Sequence, residues 1–245
     1  MYQFFVDEEQ KTKEGKIHII GPDVNHIKNV IRMKIGNRVR VSVRSGESFF
    51  CDLEAISDDL IVAAIVEQDT VGTELSQKVI LFQGLPKGDK MELIIQKMTE
   101  LGVAEIYPVA MKNCVVKLDE KKAGSKVTRW QAIAESAEKQ SKRTVIPTIH
   151  MPVSYEQAKK IALGLDIKLV PYENARGMEA TREIMSSIQE GASIGIFIGP
   201  EGGFDQKEID SLEDSFYRIS LGRRILRTET AGLATMSMLV YCLDN

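Results

Sequence analysis

The chain has 245 residues, of which 43% are hydrophobic and 27% charged, with a formal net charge of −3. This length suits one or two domains with a sizeable core, and the composition is typical of a soluble globular protein. The longest apolar runs are too short to cross a bilayer, and the first residues lack the basic and then apolar order of a secretory signal. We therefore expect a cytoplasmic protein with no membrane segment.

Cysteine and histidine are too few and too widely spaced to indicate a disulfide or a metal site. The cysteines are Cys51, Cys114 and Cys242. Their odd number, outside any C-x-x-C pattern, favours reduced thiols in a cytosolic protein. The histidines are His18, His26 and His150. Because they are equally scattered, we predict that the protein holds no zinc or other metal.

Residues 1 to about 70 predict a compact module of short strands. The predicted strands are 4–6, 16–20, 38–43, 49–53 and 60–66. Turn signals such as Gly21-Pro22-Asp23 and Gly36-Asn37 separate them. One short helix fits between Pro22 and Met33, where apolar side chains share a face. This pattern favours a small β-barrel.

Beyond Asp69–Thr73 strands alternate with helices, which predicts domains of residues 1–72 and 73–245. The predicted strands are 79–82, 103–109, 146–149, 167–170, 194–198 and 216–219. The predicted helices are 89–101, 126–142, 154–163 and 178–189, one after Asp205 with Glu208 completing a capping box, and a C-terminal helix capped by Thr228 or Thr230. This alternation indicates an α/β domain with a parallel sheet between helices. Ligands of such sheets bind beyond the carboxyl ends of the strands.

A glycine-rich segment, Gly199-Pro-Glu-Gly-Gly-Phe204, follows the apolar run that ends at Ile198. Its glycines allow a ligand to approach the backbone with no Cβ in the way. It lacks the Lys-Ser/Thr pair of a Walker A loop and the spacing of a G-x-G-x-x-G fingerprint, which disfavours a P-loop NTPase or a Rossmann dehydrogenase. A plain strand-to-helix turn and a backbone cradle for a ligand both explain the glycines.

A second segment, Leu221–Ala231, places Arg223, Arg224 and Arg227 between a predicted strand and the C-terminal helix. Guanidinium groups are bidentate donors that suit a phosphate or a developing oxyanion. Pairing of Arg227 with Glu229 or Glu201 would explain that arginine without any function. The hydrophobic Ile225 and Leu226 are expected to pack inward.

Basic residues also cluster in two stretches despite the negative net charge. Residues 25–44 contain six Lys or Arg and no acidic residue, and residues 112–143 contain nine Lys or Arg against four acidic residues. Such stretches are typical of a phosphate-binding footprint. A solvated strand face and an ordinary charged helix explain them equally well.

Taken together, these segments resemble the 16S rRNA uracil-N3 methyltransferase family (RsmE-like) of the SPOUT class. The matching segments run in order along the chain: His26 with 30–33, 84–90, 95–102, 140–143, 199–203 and 221–231. The resemblance implies an N-terminal PUA-like β-barrel that binds RNA, a C-terminal SPOUT α/β domain with a trefoil knot, and a homodimer. It also implies that the protein methylates N3 of a uridine in 16S rRNA of the small (30S) ribosomal subunit, with S-adenosyl-L-methionine as cofactor.

The resemblance further assigns site residues by motif. The cofactor-binding residues that it implies are Ile198, Gly199, Pro200, Glu201, Gly202 and Gly203 in one wall, Leu221, Gly222, Ile225 and Leu226 with Thr230 behind them in another, and Val170 and Tyr172 by position only. The RNA-binding residues that it implies are Lys28, Arg32, Arg38, Arg40, Lys87, Arg143 and Arg224. Asn25, Asn113-Cys114 and Lys139 depart from the family pattern of His, Arg-Ser and Glu, in regions expected to contact RNA or a dimer partner.

The implied chemistry assigns roles to three residues. Because N3 of uracil carries a weakly acidic proton, its methylation needs the anion or assisted loss of that proton. Arg227 is expected to stabilise the charge that spreads onto the carbonyl oxygens, and Glu201 or Glu229 either accepts the proton or orients Arg227. Two other functions remain open: a SPOUT methyltransferase acting on another RNA such as tRNA, and a non-catalytic RNA-binding assembly factor.

Overall fold

A computed structural model describes residues 1–44, 46–70, 72–175 and 177–244 and divides the chain into two compact units. The first unit combines Met1–Glu74 with Glu138–Ile146, and the second combines Leu75–Ala137 with the chain from Pro147 onward. The later segment joins the first unit because Arg143 Nη2 donates to Glu74 at 2.5 Å and Arg40 Nη1 donates to the Lys142 carbonyl at 2.6 Å. The contiguous division at residues 72 and 73 stays a prediction. Within the described residues, none of the helices has the length and apolar character that crossing a bilayer requires.

The first unit is a five-stranded sheet that curls into a half-barrel. Its strands are β1 (Gln3–Val6), β2 (Lys16–Ile20), β3 (Arg38–Val43), β4 (Ser48–Ile56) and β5 (Leu60–Gln68), in the order β1-β3-β4-β5-β2. The pair β1 and β3 is parallel, and the other pairs are antiparallel. Helix α1 (Pro22–Asn25) continues into a π-helical turn at His26–Val30 and buries Val24 and Ile27 against the sheet. The predicted strands and the barrel-like module are confirmed.

The second unit is a parallel sheet of seven strands. These are β6 (Lys78–Gly84), β7 (Glu105–Ala110), β8 (Thr148–Ile149), β9 (Val153–Ser154), β10 (Ile167–Pro171), β11 (Ser193–Ile198) and β12 (Phe216–Ile219). Their order is β12-β10-β11-β6-β7-β8, with β9 also pairing with β7. The helices are α2 (Lys90–Glu100), α3 (Glu120–Ser141), whose end belongs to the first unit, α4 (Tyr155–Ala162), α5 (Glu179–Ser187), α6 (Gln206–Asp210) and α7 (Thr228–Leu243).

Both faces of this sheet are buried. Consecutive residues of one strand enter different cores: Leu81 and Ile196 pack in a cluster with residues of α2 and α7, whereas Phe82 and Phe197 pack in a cluster with residues of α4 and α6. A strand that is covered on both sides needs apolar residues at every position, and this explains the near-continuous apolar runs in the sequence. The predicted α/β domain is confirmed, and the trefoil knot stays a prediction.

Two helix starts depart most clearly from the predictions. Helix α3 begins at Glu120, earlier than the predicted residue 126. The prediction that Thr228 or Thr230 caps α7 is wrong, because Arg227 occupies that position and Thr228 is the first helical residue. The Thr228 hydroxyl donates instead to the Gly199 carbonyl at 2.7 Å. The predicted capping box of Asp205 and Glu208 is confirmed at the start of α6.

Candidate active site

The carboxyl ends of three neighbouring parallel strands open onto one large cavity. Strands β10, β11 and β12 are adjacent in the sheet, so the segments that follow them meet at the same edge. Residues 171–175, 177–178, 198–204 and 220–228 supply most of the walls of a cavity of about 1360 Å³. Pockets for small molecules commonly occupy about 300–1,000 Å³. The cavity therefore has room for a cofactor together with part of a larger substrate.

The glycine loop, residues 199–203, is folded so tightly that side chains would disrupt it. A Cβ on Gly84 would lie 2.7 Å from the Pro200 nitrogen, and a Cβ on Gly202 would lie 3.0 Å from Asn113 Cβ. Added Cβ atoms at Gly203 and Gly222, by contrast, would meet no atom within 4 Å, and both residues line the cavity with positive φ. Gly84 and Gly202 are therefore needed for close packing, whereas Gly203 and Gly222 leave open the space that a ligand would fill.

Three elements hold the glycine loop in place. Asn113 Nδ2 donates to the carbonyls of Gly202 and Gly203, each at 3.2 Å. The Thr228 hydroxyl, which donates to the Gly199 carbonyl, itself accepts from Gln83 Nε2 at 2.9 Å. Asn113 lies in a region expected to contact RNA or a dimer partner, and its side chain supports the glycine loop. Nothing in the local sequence pattern indicates this contact.

Lys90, the last residue of the matching segment 84–90, joins the two glutamates proposed for catalysis. Lys90 Nζ lies 2.8 Å from Glu201 Oε1 and 3.5 Å from Glu229 Oε2, and the Lys87 amide donates to Glu201 Oε1 at 3.0 Å. The hydrogen bond to Glu201 raises the pKa of Lys90. Burial opposes ionisation of Glu201, but hydrogen bonds from Lys90 and from backbone amides outweigh it, so the pKa of Glu201 lies below its usual value. Both glutamates thus face Lys90, and the expectation that they pair with Arg227 is not met among the described residues.

The arginine loop, residues 220–227, brings its cations to the rim of the cavity. Arg223, Arg224 and Arg227 line the cavity and are exposed. Among the described residues, none of the three has an ion-pair partner within 4.0 Å. The expectation that Ile225 packs inward is wrong, because 84% of its surface is exposed. Between β12 and α7 this loop forms no strand or helix that would turn the side chain toward a core.

The remaining residues expected to bind the cofactor are nearly all brought together. Tyr172, Ile198, the glycine loop, Leu221, Gly222, Ile225 and Leu226 line the cavity. Val170 is not among the lining residues, because the alternation of β10 turns it into the core with Phe197 and Phe216. Thr230 lies one turn into α7 and is also not among them. In the described part of the chain, no three His, Cys, Asp or Glu side chains are grouped so that they could hold a metal ion.

The residues expected to bind RNA fall into two groups. Arg40 pairs with Asp69 at 2.6 Å and Arg143 with Glu74 at 2.5 Å, and both arginines are buried. Their expected role as phosphate contacts is therefore corrected: these guanidinium groups stabilise the first unit. The other five retain surface: Lys28 and Arg38 pair with Asp58 and Asp52, and Arg32, Lys87 and Arg224 are exposed.

Comparisons with known proteins agree over nearly the whole chain. An RNA methyltransferase domain matches residues 73–240, and an RNA methyltransferase PUA domain matches residues 19–66. The protein named Ribosomal RNA small subunit methyltransferase E of Bacillus subtilis is 37% identical, over 98% of this chain and 96% of its own length. The crystal structure of a protein of the same name from Neisseria gonorrhoeae, bound to S-adenosyl methionine, is 28% identical with a TM-score of 0.80, covering 99% of this chain and 98% of that one. A methyltransferase structure from Legionella pneumophila with the bound cofactor SAM is 29% identical with a TM-score of 0.78, covering 98% and 96%.

Proposed function

The chain belongs to the RNA methyltransferase family, and we propose that it transfers the methyl group of S-adenosylmethionine to N3 of a uridine in 16S rRNA of the small ribosomal subunit. The cavity beyond β10, β11 and β12 carries the proposal, because it joins a backbone cradle to a rim of arginines that have no described ion-pair partner. The name of the Bacillus subtilis relative supports the substrate, and the cofactor bound in the two related structures supports S-adenosylmethionine. A cytoplasmic location is part of the proposal, since ribosomal subunits are the substrate.

The walls of the cavity suit a nucleoside cofactor. Ile198, Leu221 and Leu226 offer apolar surface, and Gly203 and Gly222 leave room for a ligand against the backbone. When bound, S-adenosylmethionine supplies an electrophilic methyl group. The protein has to exclude water, hold the acceptor nitrogen in line with that methyl group and stabilise the developing charge.

Charge stabilisation is assigned to Arg227 and to the start of α7. As N3 loses its proton, negative charge spreads onto the two carbonyl oxygens of uracil. Arg227 lies at the N-cap of α7 and lines the cavity, so its guanidinium group can donate to such an oxygen. The positive end of the α7 dipole adds to the same effect, because Thr228 in its first turn also lines the cavity.

The homodimer is a further part of the proposal. Helix α7 carries a single charged residue, Glu229, near its start, and is otherwise small or apolar. Its side chains at Thr230, Ala234, Ser237 and Tyr241 form a stripe at helical spacing that its own chain leaves partly or fully exposed, with Tyr241 90% exposed. This stripe joins a large exposed aromatic side chain to small residues that let another helix approach closely, and a second copy of the chain would cover it. A Tyr241→Glu variant is expected to run as a monomer in size-exclusion chromatography with light scattering, whereas an unchanged dimer mass would refute this interface.

One incubation tests the proposed reaction against its alternatives. The protein is mixed with methyl-labelled S-adenosylmethionine and, separately, with 30S subunits lacking the modification, naked 16S rRNA and tRNA. Label at N3 of a uridine in 16S rRNA is the expected result. Label in tRNA alone would identify a different RNA substrate, and binding without label in any RNA would identify a non-catalytic factor.

A further inference from the structure

Lys90 occupies a position that its own helix does not favour. It is the first residue of α2, where a cation opposes the positive end of the helix dipole. Its ammonium group instead lies between Glu201 of the glycine loop and Glu229 of α7, at 2.8 and 3.5 Å. The two carboxylates therefore explain why the ammonium group is there, and helix stability does not.

The ammonium group also belongs to the wall of the cavity. Lys90 lines the cavity, and 31% of its side chain is exposed. An ammonium group has three N–H donors. Glu201 accepts from one of them, and Glu229 Oε2 faces the ammonium group at 3.5 Å without a hydrogen bond, so at least one donor is left for a group inside the cavity.

The two glutamates are poorly placed to accept a proton. Glu201 Oε1 already accepts from Lys90 Nζ and from the Lys87 amide, and the pKa of Glu201 is depressed, which makes it a weaker base. Glu229 is not among the residues that line the cavity, and its buried Oε2 faces only Lys90 at ion-pair distance. Both carboxylates are thus better suited to holding Lys90 than to deprotonating a substrate.

We propose that Lys90 is a catalytic residue of the methyl transfer, whose ammonium group, fixed by Glu201 and Glu229, donates to a carbonyl oxygen of the substrate uracil and stabilises its N3 anion. This inference rests on the proposed function. The N3–H bond breaks first and the proton passes to solvent hydroxide. The N3 lone pair then bonds to the methyl carbon, while the electron pair of the broken C–S bond stays on sulfur.

Other charged groups around the cavity also act on the Lys90 ammonium group and on the substrate anion. Glu201 approaches Lys90 from the glycine loop and Glu229 from α7. The cavity wall further carries Glu173 after β10 and the three cations of the arginine loop. Lys90 differs from those arginines in being held on two sides, which fixes its donor before the substrate arrives.

The test compares Lys90→Met and Lys90→Arg with a matched control, Lys78→Met. Lys78 also pairs with a glutamate, Glu105, but lies outside the cavity lining. Single-turnover methylation of unmodified 30S subunits is measured at saturating cofactor from about pH 6 to about pH 9, because the rate then reports ionisation of the bound complex. Cofactor Kd by calorimetry and thermal unfolding are measured on the same proteins.

For Lys90→Met we expect a rate about 10²- to 10³-fold lower, the usual loss of one donor to a developing oxyanion. The pH range over which its rate rises should move to higher pH, because the N3 anion loses a stabilising charge and the pKa of the bound N3–H group increases. Lys90→Arg should recover part of the rate, and Lys78→Met should match the wild type. Glu229→Gln and Glu201→Gln should keep the rise of about tenfold per pH unit that loss of the proton to solvent produces.

The inference is overturned if the rate of Lys90→Met rises over the same pH range as that of the wild type and is lost only because the variant binds the cofactor more weakly. Lys90 would then be a structural residue. A wild-type profile that is flat from about pH 6 to about pH 9, and that becomes a rise of about tenfold per pH unit in Glu229→Gln or Glu201→Gln, would overturn it as well, because that carboxylate would then be the proton acceptor. If the wild type labels no RNA, the proposed function fails and the inference fails with it. If the wild type labels 16S rRNA and Lys90→Met does so equally, only the inference fails.

Discussion

Substitution of Gly84 by alanine tests whether the glycine loop needs its observed packing. The new Cβ would lie 2.7 Å from the Pro200 nitrogen, 2.8 Å from Pro200 Cδ and 3.0 Å from the Gly199 carbonyl carbon. These atoms belong to backbone and to a proline ring, so no flexible side chain can move aside. Gly84 has no positive φ, and alanine is therefore strained only by this contact.

Overpacking of a tight interior commonly costs about 1–3 kcal/mol. This cost can appear in either of two measured quantities. If the glycine loop stays in place, the free energy of unfolding falls by that amount; if the loop moves away and the cofactor forces it back, Kd for S-adenosylmethionine rises about 5- to 150-fold, since about 1.4 kcal/mol corresponds to a factor of ten. The two losses together should reach about 1–3 kcal/mol.

Calorimetric titration measures the cofactor Kd, and denaturant unfolding measures the free energy of unfolding. Gly124→Ala is the matched control, because Gly124 lies inside α3 and a Cβ there meets no atom within 4 Å. The control should gain about 0.5–1 kcal/mol of stability from the better helix former. A Gly84→Ala protein with the stability and the cofactor affinity of the wild type would refute the account of the loop.

The remaining predictions concern charge. Arg227→Ala should bind cofactor normally but methylate about 10²- to 10³-fold more slowly, and a wild-type single-turnover rate would contradict its role. Arg32→Glu should weaken binding of 16S rRNA and reduce the slope of log K against log salt by about one, as measured by filter binding over a salt series; an unchanged slope would remove Arg32 from the interface. Glu138 is fully buried, and burial raises its pKa from 4.5 to about 8 despite the attraction of Arg143. The folded state therefore holds a proton that the unfolded state releases, so stability should fall as pH rises from 4.5 toward about 8 and level off above it. Glu138→Gln should flatten this dependence in denaturant unfolding at several pH values, and an unaltered pH profile would show that another group is responsible.

The sequence predicts the elements of the fold well because their signals are local. Strands β6 and β11 are recognisable as apolar runs, and the start of α6 as the spacing of Asp205 and Glu208. The convergence of three loops at one edge follows from the parallel order of the strands. These predictions need only periodicity, capping and topology.

What the sequence could not predict depends on partners far apart along the chain. Lys90 and Glu201 are 111 residues apart, Asn113 and Gly203 are 90 apart, and Arg143 and Glu74 are 69 apart. Periodicity carries no information about such pairs, so Arg143 appeared available for RNA, and the sequence placed Lys90 at a glycine-rich edge without indicating its glutamate partners. The same limit explains Ile225, whose apolar side chain suggested burial although the arginine loop leaves it exposed.

The glycine loop and the arginine loop differ in how firmly contacts within the chain hold them in place. The glycine loop is held by Asn113, Thr228 and Lys90, whereas the cations of the arginine loop have no described ion-pair partner. A site that is already fixed loses little conformational freedom when its ligand binds, and exposed arginines must be ordered by theirs. Cofactor affinity should therefore depend on packing and change little with salt. RNA affinity should depend on charge and fall steeply with salt, which is the behaviour expected if the arginine rim meets phosphate and the glycine loop does not.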